Sequence, residues 1–550
     1  MRIVAFSVTH DSSVCSIKNG KIEYFCKEER LSKIKKDHNP FLALEKLKSL
    51  KLGKIDHFLY HTPSYNFDNY LVWAAYVRKN FNVPLENFSS LTHHWCHAAL
   101  ARFNTGFKEC LVFVIDRNGS LFFINNEQKA RETESVFICD EHFISAIYKN
   151  FCTLNNQQDK DKSIETELKQ FYPDTEISVS DFGIVQVYEA ATTLIKQNQL
   201  ENGKTMGLAA YGNSLKQKLF ENGKPIGKLF EEINGEIHFK NTQHLIKDVS
   251  KDDYQFYADK ARQVQEQTQE EVYKLIKKYV KKTKIKNVCI VGGYGLNVVA
   301  NSYYKTKLPS VNFYFEPIAD DTGIAIGAAM LKYKAVTGKK PLKNITTFFH
   351  YHNKKYGAPT SKFGSTEIVS KLLQQQKSVA LFCLEPEAGP RALGHRSILF
   401  DARNPKAKDI VNQIKQREWY RPFAGVILQK HLQKYFKPIV KQSPNMTMNF
   451  EYISYQGDHL FPGILHVDNT SRLQTINGTR NIYADHYLYE ILSDFYKNTK
   501  CPVLLNTSFN LAGKPLVQTE EDAVEVFENS TLDAIYFADR CALLTKEDIK

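Results

Sequence analysis

The chain has no apolar run long enough to cross a bilayer, and its first residues lack the charged, apolar and small-residue zones of a secretory leader. Neither a spanning protein nor an exported one is expected, and Met1 to Val8 reads as a buried first strand. The ten cysteines contain no C-x-x-C pair, which argues against a cysteine-built zinc ribbon or a disulfide frame. A reducing cytoplasm is the expected setting. What the chain does have is an ordinary globular balance, 43% hydrophobic and 24% charged, spread over 550 residues. That length exceeds what one core usually organises, so two domains are expected. A net charge of +13 would favour polyanions. Lysines on presumptive solvent faces, as in the run from Lys277 to Lys282, account for the excess equally well through solubility.

Against this background one stretch stands out, from Thr92 to Ala99, for its dense imidazoles. If it opens a helix, His93 and His97 stand one turn apart and leave the same face, able to close on one ion. The plain alternative is a capping histidine beside packed ones. Two carboxylates keep this stretch company: Asp116 ends the apolar run Leu111 to Ile115, and Asp321 follows Glu316-Pro317-Ile318-Ala319-Asp320. Two imidazoles with two carboxylates suit Fe, Mn, Co or Zn.

The opening reads strand, polar loop at Thr9 to Ser13, strand, Asn19-Gly20 turn, strand. A similar order returns at Leu111 to Ile124, with a polar turn at Asn125-Asn126, and implies a duplicated α/β domain. Ala261 to Lys282 has the apolar spacing of one long helix delivering into a strand at Asn287 to Val291. Glycine directly after that strand, at Gly292 and Gly293 ahead of Asn297, lets backbone approach a ligand. Gly323 to Ala329 reads as a small-residue helix packed on the sheet. The composition then turns to Lys, Gly, Pro and Thr through Thr360, which places a boundary there and gives domains 1–345 and 346–550.

The second domain is expected to open with a helix near Ser365 to Gln376 and a strand at Ser378 to Cys383. Beyond that strand lie three segments with arginines or polar loops: Glu387 to Ser397 with Arg391, Lys415 to Ala424 with Arg421, and Leu504 to Asn510 with Asn506 and Ser508. Guanidinium forks hold phosphate oxygens bidentately and lysine adds a point charge, so these segments point to a multi-phosphate site.

Taken together the motifs resemble the O-carbamoyltransferases that decorate nodulation factors, cephalosporins and aminoglycosides. The likeness rests on the His10-Asp11-Ser12 loop, Gly203-Lys204-Thr205-Met206-Gly207, Gly389-Pro390-Arg391-Ala392-Leu393-Gly394, His466 to Arg472 and Asn506 to Asn510. It implies an actin-like, duplicated ribonuclease-H-type N-terminal domain and a C-terminal α/β domain similar to threonylcarbamoyl-adenylate synthases. By the same resemblance the C-terminal domain forms carbamoyl-adenylate from carbamoyl phosphate and ATP, with Mg for ATP, and the N-terminal domain passes the carbamoyl group to a hydroxyl. Arg391, Lys415, Arg421 and Ser508 would grip carbamoyl phosphate and nucleotide phosphates. Lys204, Gly292, Gly293, Asn297 and Asn506 join them as nucleotide-binding candidates. His93, His97, Asp116 and Asp321 match the metal ligands, with iron the first choice, and His10 beside Asp11 is the candidate base.

The chain departs from the family pattern in places. Its Lys-His-Asp appears as Lys36-Asp37-His38, so both Asp37 and His38 stay candidates for the acceptor side. Arg117 stands where a small residue is common, and Asn469 replaces a glycine. The acceptor is expected to be a hydroxymethylated pyrimidine, such as 5-hydroxymethylcytosine in DNA, or a sugar or other secondary metabolite. A nucleotide-binding regulator without transferase chemistry and a tRNA threonylcarbamoylating enzyme are the other readings. No membrane partner is expected, and the oligomeric state, a homo-oligomer included, stays open.

Overall fold

A computed structural model describes residues 1–63, 67–124, 128–153, 161–342, 365–383, 385–453, 459–478 and 483–548. The chain divides into two compact units, Met1–Phe25 with His38–Ile345, and Cys26–Asp37 with Thr346–Lys550. A single cut in the sequence therefore misses one feature: a twelve-residue strap near the N-terminus belongs to the second unit.

Among the described residues the first unit holds two main sheets. The first sheet is β1 (Arg2–Ser7), β2 (Ser13–Lys18), β3 (Lys21–Lys27), β4 (His57–His61) and β5 (Phe88–Ser90), in the order β3-β2-β1-β4-β5. The second begins with β6 (Cys110–Ile115), β7 (Leu121–Ile124), β8 (Gln128–Cys139), β9 (Ile144–Thr153) and β10 (Glu176–Ser180). After two small hairpins, β11 (Phe220–Glu221) with β12 (Lys224–Pro225) and β13 (Phe230–Ile233) with β14 (Glu236–Phe239), it is completed by β15 (Asn287–Val291) and β16 (Asn312–Phe315). Its order is β10-β9-β8-β6-β15-β16, with β7 on β8. Both sheets obey one plan. The first strand, β1 or β6, has an antiparallel neighbour on one side, and on the other a parallel strand backed by a second parallel one. The repeated strand–loop–strand pattern expected from sequence returns only in part: β2 pairs with β1, but β7 pairs with β8, and it is β8 that lies antiparallel beside β6; the polar turn at Asn125-Asn126 lies outside the described residues.

Two helices frame the histidine-rich stretch. The helix His93–Asn104 is buried along nearly its whole length and lies on the second sheet, where Ala98 and Ala101 pack on Val112, Val114, Phe137 and Val291. Its buried Arg102 satisfies four carbonyl contacts, donating to Phe107 O at 2.8 Å, Lys108 O at 3.0 Å and twice to Asp140 O, so no unpaired charge is left inside. The small-residue helix runs Ile324–Thr337, and it packs on this first helix as well as on the sheet. A Cβ at Gly327 would fall 1.9 Å from Cys96 O, so only glycine permits that approach. The long helix runs Gln255–Thr283 and starts earlier than the periodicity indicated, because Tyr257 and Ala258 extend its buried stripe.

In the second unit the described strands are β17 (Val379–Phe382), β18 (Arg396–Asp401), β19 (Ala424–Leu428), β20 (Asn449–Glu451), β21 (Thr470–Ile476), β22 (Val503–Ser508), β23 (Ala534–Phe537) and β24 (Ala542–Thr545). They form one mixed sheet in the order β20-β21-β19-β22-β18-β17-β23-β24. The helix Thr366–Gln374 and β17 match the expected opening of this unit. The segment Gly357 to Thr360, used to place the boundary, lies outside the described residues. The fold is mixed α/β with several sheets, and no described helix is long and apolar enough to cross a membrane.

Candidate functional site

The first centre starts from a helix terminus. Thr92 is the N-cap of His93–Asn104 but makes no side-chain cap bond; instead His93 N donates to Ser120 Oγ at 2.9 Å. That bond ties the loop after β6 to the first helical turn, and so brings Asp116 to the histidines. The imidazoles leave one face one turn apart, as the i, i+4 spacing requires. His93 Nε2 lies 3.0 Å from Asp116 Oδ2, 3.3 Å from Asp321 Oδ1 and 3.2 Å from His97 Nε2. His97 Nε2 lies 3.6 Å from Asp321 Oδ1. One ligand atom from each of the four lies within 4.8 Å of the others, and all four residues are buried.

Asp321 arrives through the 3-10 turn Asp321–Gly323 ahead of the Gly327 helix. Asp116 is further held by Gly293, whose N–H donates to Asp116 Oδ1 at 2.9 Å. The chain can turn there because Gly292 has φ +88°, and a Cβ on it would lie 2.4 Å from Ile115 O. Gly292 and Gly293, read from sequence as nucleotide contacts, thus orient Asp116. Asn297 caps the next helix through Ala300 N and bonds Gln265. Lys204 reaches Gln197 Oε1 at 2.6 Å and Glu201 at 2.9 Å.

Burial opposes charge on His93, but the carboxylates of Asp321 and Asp116 outweigh it and push its pKa up to about 10. Burial likewise opposes charge on Asp116 and Asp321, yet His93 holds both carboxyls well below their usual range. A cluster of this kind could hold a cation in place of the His93 proton. The donor set fits a divalent ion: two imidazole Nε2 atoms only 3.2 Å apart, with a carboxylate oxygen on either side. His10 lies at its rim, about one-third exposed, with Nδ1 3.6 Å from Asp321 Oδ2 and Nε2 3.2 Å from Asp11 Oδ2. Of the two acceptor-side candidates, His38 falls in the first unit, where its carbonyl accepts Ser12 Oγ at 2.5 Å, and Asp37 falls in the second. Arg117 fills its unusual position by pairing with buried Glu189 and donating to Gly235 O at 2.6 Å, which pins the β13–β14 hairpin to the loop beside Asp116.

The second unit carries the opposite kind of centre. Lys415 ends the helix Ala407–Lys415, and its Nζ donates to Ser508 O at 2.5 Å, Ser508 Oγ at 3.1 Å and Asn510 Oδ1 at 2.5 Å. Burial pushes its pKa well down, and Arg417, Arg421 and Lys35 of the strap push it further. Arg472 is depressed in the same way, by burial and then by Arg391, Arg417 and Arg421, and its buried Nε has no hydrogen-bond partner. Guanidinium groups keep their protons in proteins, so this mutual repulsion calls for an anion among them. The sequence pointed to Arg391, Lys415, Arg421 and Ser508 as phosphate contacts but not to Arg417, Arg472, Asn510 or Lys35, although Arg417, Arg472 and Asn510 stand inside the segments singled out. Asn506 works behind this cluster. It is fully buried in β22, with its Nδ2 donating to Gln474 Oε1 at 3.0 Å and Ala392 O at 3.3 Å, and so braces the loop that carries Arg391. Glu387 Oε1 holds the same loop from Leu393 N, His395 N and Arg396 N.

A two-unit α/β protein with a carboxylate–imidazole centre able to hold a cation in one unit and a cationic cluster in the other has the parts of a group-transfer enzyme. Residues 64–330 match the model of the Carbamoyltransferase N-terminus and residues 370–543 that of the Carbamoyltransferase C-terminus. The chain belongs to the carbamoyltransferase family and is a transferase. It is 28% identical over 518 residues to an uncharacterized protein of Methanocaldococcus jannaschii, covering 86% of this chain and 76% of that one. Nodulation protein NolNO of Sinorhizobium fredii is 24% identical over 585 residues, covering 96% and 78%. Among solved structures HypF of T. kodakarensis overlaps 61% of this chain and 48% of its own, at 13% identity and a TM-score of 0.38.

Proposed function

We propose that the protein is an ATP-dependent O-carbamoyltransferase working in two stages. The observation that carries this reading is the set of Arg391, Lys415, Arg417, Arg421 and Arg472, crowded together in the second unit of a chain with carbamoyltransferase models along both units. Like charges held that close are stabilised by phosphate groups, and carbamoyl phosphate and ATP together bring several. In the first stage a water molecule cleaves carbamoyl phosphate to carbamate and phosphate, and the carbamate oxygen attacks the ATP α-phosphorus to give carbamoyl-adenylate with loss of pyrophosphate. Lys415 and the arginines hold the phosphate oxygens and neutralise charge as it moves to the departing pyrophosphate. In the second stage an acceptor hydroxyl attacks the carbamoyl carbon, AMP leaves, and His10, which lies beside Asp321, takes the hydroxyl proton.

His93, His97, Asp116 and Asp321 would hold the divalent cation, with iron preferred and Mn, Co or Zn alternatives. Bound there, it would supply Lewis acidity to an oxygen of the adenylate. The repeated strand plan of the two sheets in the first unit supports the actin-like, duplicated ribonuclease-H-type assignment for that unit. The second unit takes the adenylate-forming role of threonylcarbamoyl-adenylate synthases. The acceptor hydroxyl belongs either to a hydroxymethylated pyrimidine, such as 5-hydroxymethylcytosine in DNA, for which the net charge of +13 is the motive, or to a sugar or other secondary metabolite.

The test is a supply of labelled carbamoyl phosphate and ATP, with pyrophosphate release followed alongside a screen of hydroxymethylated DNA, nucleotides and sugars, and products read by mass spectrometry. Pyrophosphate release dependent on carbamoyl phosphate, with label on a hydroxyl, is the expected result. Release dependent on threonylcarbamate instead would favour a tRNA-modifying enzyme. ATP binding without release would leave only a regulator.

A further inference from the structure

His61 ends β4 with its ring buried, 1% exposed, and neither the family likeness nor the ligand geometry gives it a role. Both of its nitrogens are engaged. Nδ1 lies 2.9 Å from Leu91 O, and Nε2 lies 2.9 Å from His93 Nδ1. A carbonyl oxygen has no proton to give, so Nδ1 of His61 is the donor in the first contact. In the neutral ring Nε2 then carries a lone pair and accepts the proton on His93 Nδ1. This fixes the partner in turn: His93 presents Nε2 toward Asp116 Oδ2 at 3.0 Å and Asp321 Oδ1 at 3.3 Å. The other neutral tautomer of His93 would set two lone pairs against each other across 2.9 Å.

We propose that His61 is a positioning residue, which fixes the tautomer and ring angle of His93 so that His93 Nε2 faces the bound cation. The proposal rests on the cation-binding reading of the His93, His97, Asp116 and Asp321 centre. Leu91 O anchors the far side of the relay just ahead of the first helical turn, so the ring is held at both ends between β4 and the helix start. Partners of this kind around a metal-bound imidazole make the ligand more basic and hold it in place, and losing one costs about 10- to 100-fold in metal affinity.

A ring that merely fills space would be replaced without loss by an apolar side chain, whereas an acceptor would be replaced only by another acceptor. His61→Leu removes the acceptor, and His61→Gln retains one, because the Gln Oε1 reaches about as far as the imidazole Nε2. The full-length protein and both variants, stripped of metal, are titrated with Co2+ against a chelating competitor at fixed pH, with the visible absorption of the bound ion recorded and the melting temperature of each metal-free form measured. His61→Leu is expected to weaken Co2+ binding about 10- to 100-fold and to change the absorption band, with His61→Gln within about threefold of the parent. Equal affinity in all three proteins overturns the assignment and leaves the cation centre standing, and so does equal weakening in both variants, which would mean that ring shape matters and the acceptor does not. A parent protein that binds no Co2+ overturns the cation centre and this proposal together.

Discussion

The two centres of this chain are built on opposite electrostatic plans. In the first unit His93 is gathered with Asp116 at 3.0 Å and Asp321 at 3.3 Å, so imidazole and carboxylates meet across about one hydrogen-bond length. In the second, Arg417 and Arg421 act on both Lys415 and Arg472, Arg391 adds to them at Arg472, and Glu418, 3.5 Å from Arg421, is a carboxylate among them. Removing a charge from the first should cost stability, and removing one from the second should not. A cation centre can be complete in the folded chain, while a cationic pocket stays frustrated until its anion arrives.

The sharpest break of the comparison is functional. His93→Ala should lower carbamoyl transfer by at least about 100-fold while leaving carbamoyl-phosphate-dependent pyrophosphate release near the parent rate, and Arg391→Ala should lose that release by a similar factor. Equal loss of both partial reactions in each variant would merge the two centres into one. Next in size is the pH dependence of the first centre. A metal must displace the proton that the carboxylates hold on His93, whose pKa is raised to about 10. Metal affinity should therefore rise as pH increases, about tenfold per unit between pH ~7 and ~9, and level off above about 10; chelator competition across that range reads it. Flat affinity would mean that His93 carries no displaceable proton.

Smaller effects separate the two plans thermally. Arg472→Met, which removes one of the repelling cations, should keep or raise the melting temperature by about 2–4 °C without ligand, even as it weakens the response to carbamoyl phosphate. Asp321→Asn, in contrast, strips His93 of its principal counter-charge and should lower the melting temperature of the metal-free protein. Smallest is the effect of inorganic pyrophosphate, which should raise the melting temperature of the parent by a few degrees and that of Arg472→Met by less. Equal shifts in the two proteins would place the anion away from Arg472.

The parts of this arrangement legible in the sequence are those that depend on local spacing. A helix of about 3.6 residues per turn puts His93 and His97 on one face whatever lies around them, and an apolar run ending in an acid marks Asp116. Asp321 was singled out only as the acid that follows Glu316 to Asp320, and its partners lie far away in the chain. His61 was not, because a histidine at the end of a strand carries no periodic signature, and only the pairing of β4 beside the helix start brings it to His93. At the Gly292-Gly293 turn the structure shows Gly292 passing close to Ile115 O and Gly293 N–H donating to the Asp116 carboxylate. Asn506, named as a ligand candidate, sits in a central strand of the sheet, where its Nδ2 donates to Gln474 Oε1 and Ala392 O while its buried Oδ1 has no hydrogen-bond partner. Asp37 and His38 are adjacent in sequence, yet the chain passes from one unit to the other between them.

That passage bears on how the protein is made. The strap Cys26–Asp37, whose Lys33 reaches Asp522 at 2.7 Å and whose Arg30 donates to Glu387 O at 3.3 Å, leaves the ribosome long before either partner exists. At ~5–20 residues per second it waits ~15–60 s for its own unit to begin emerging. During that interval Lys27, Glu29 and Arg30, which end up buried, remain in water, and the nascent first unit must hold the neighbouring strand without them. Vectorial synthesis thus ends with a docking step that no truncation after residue 345 can complete.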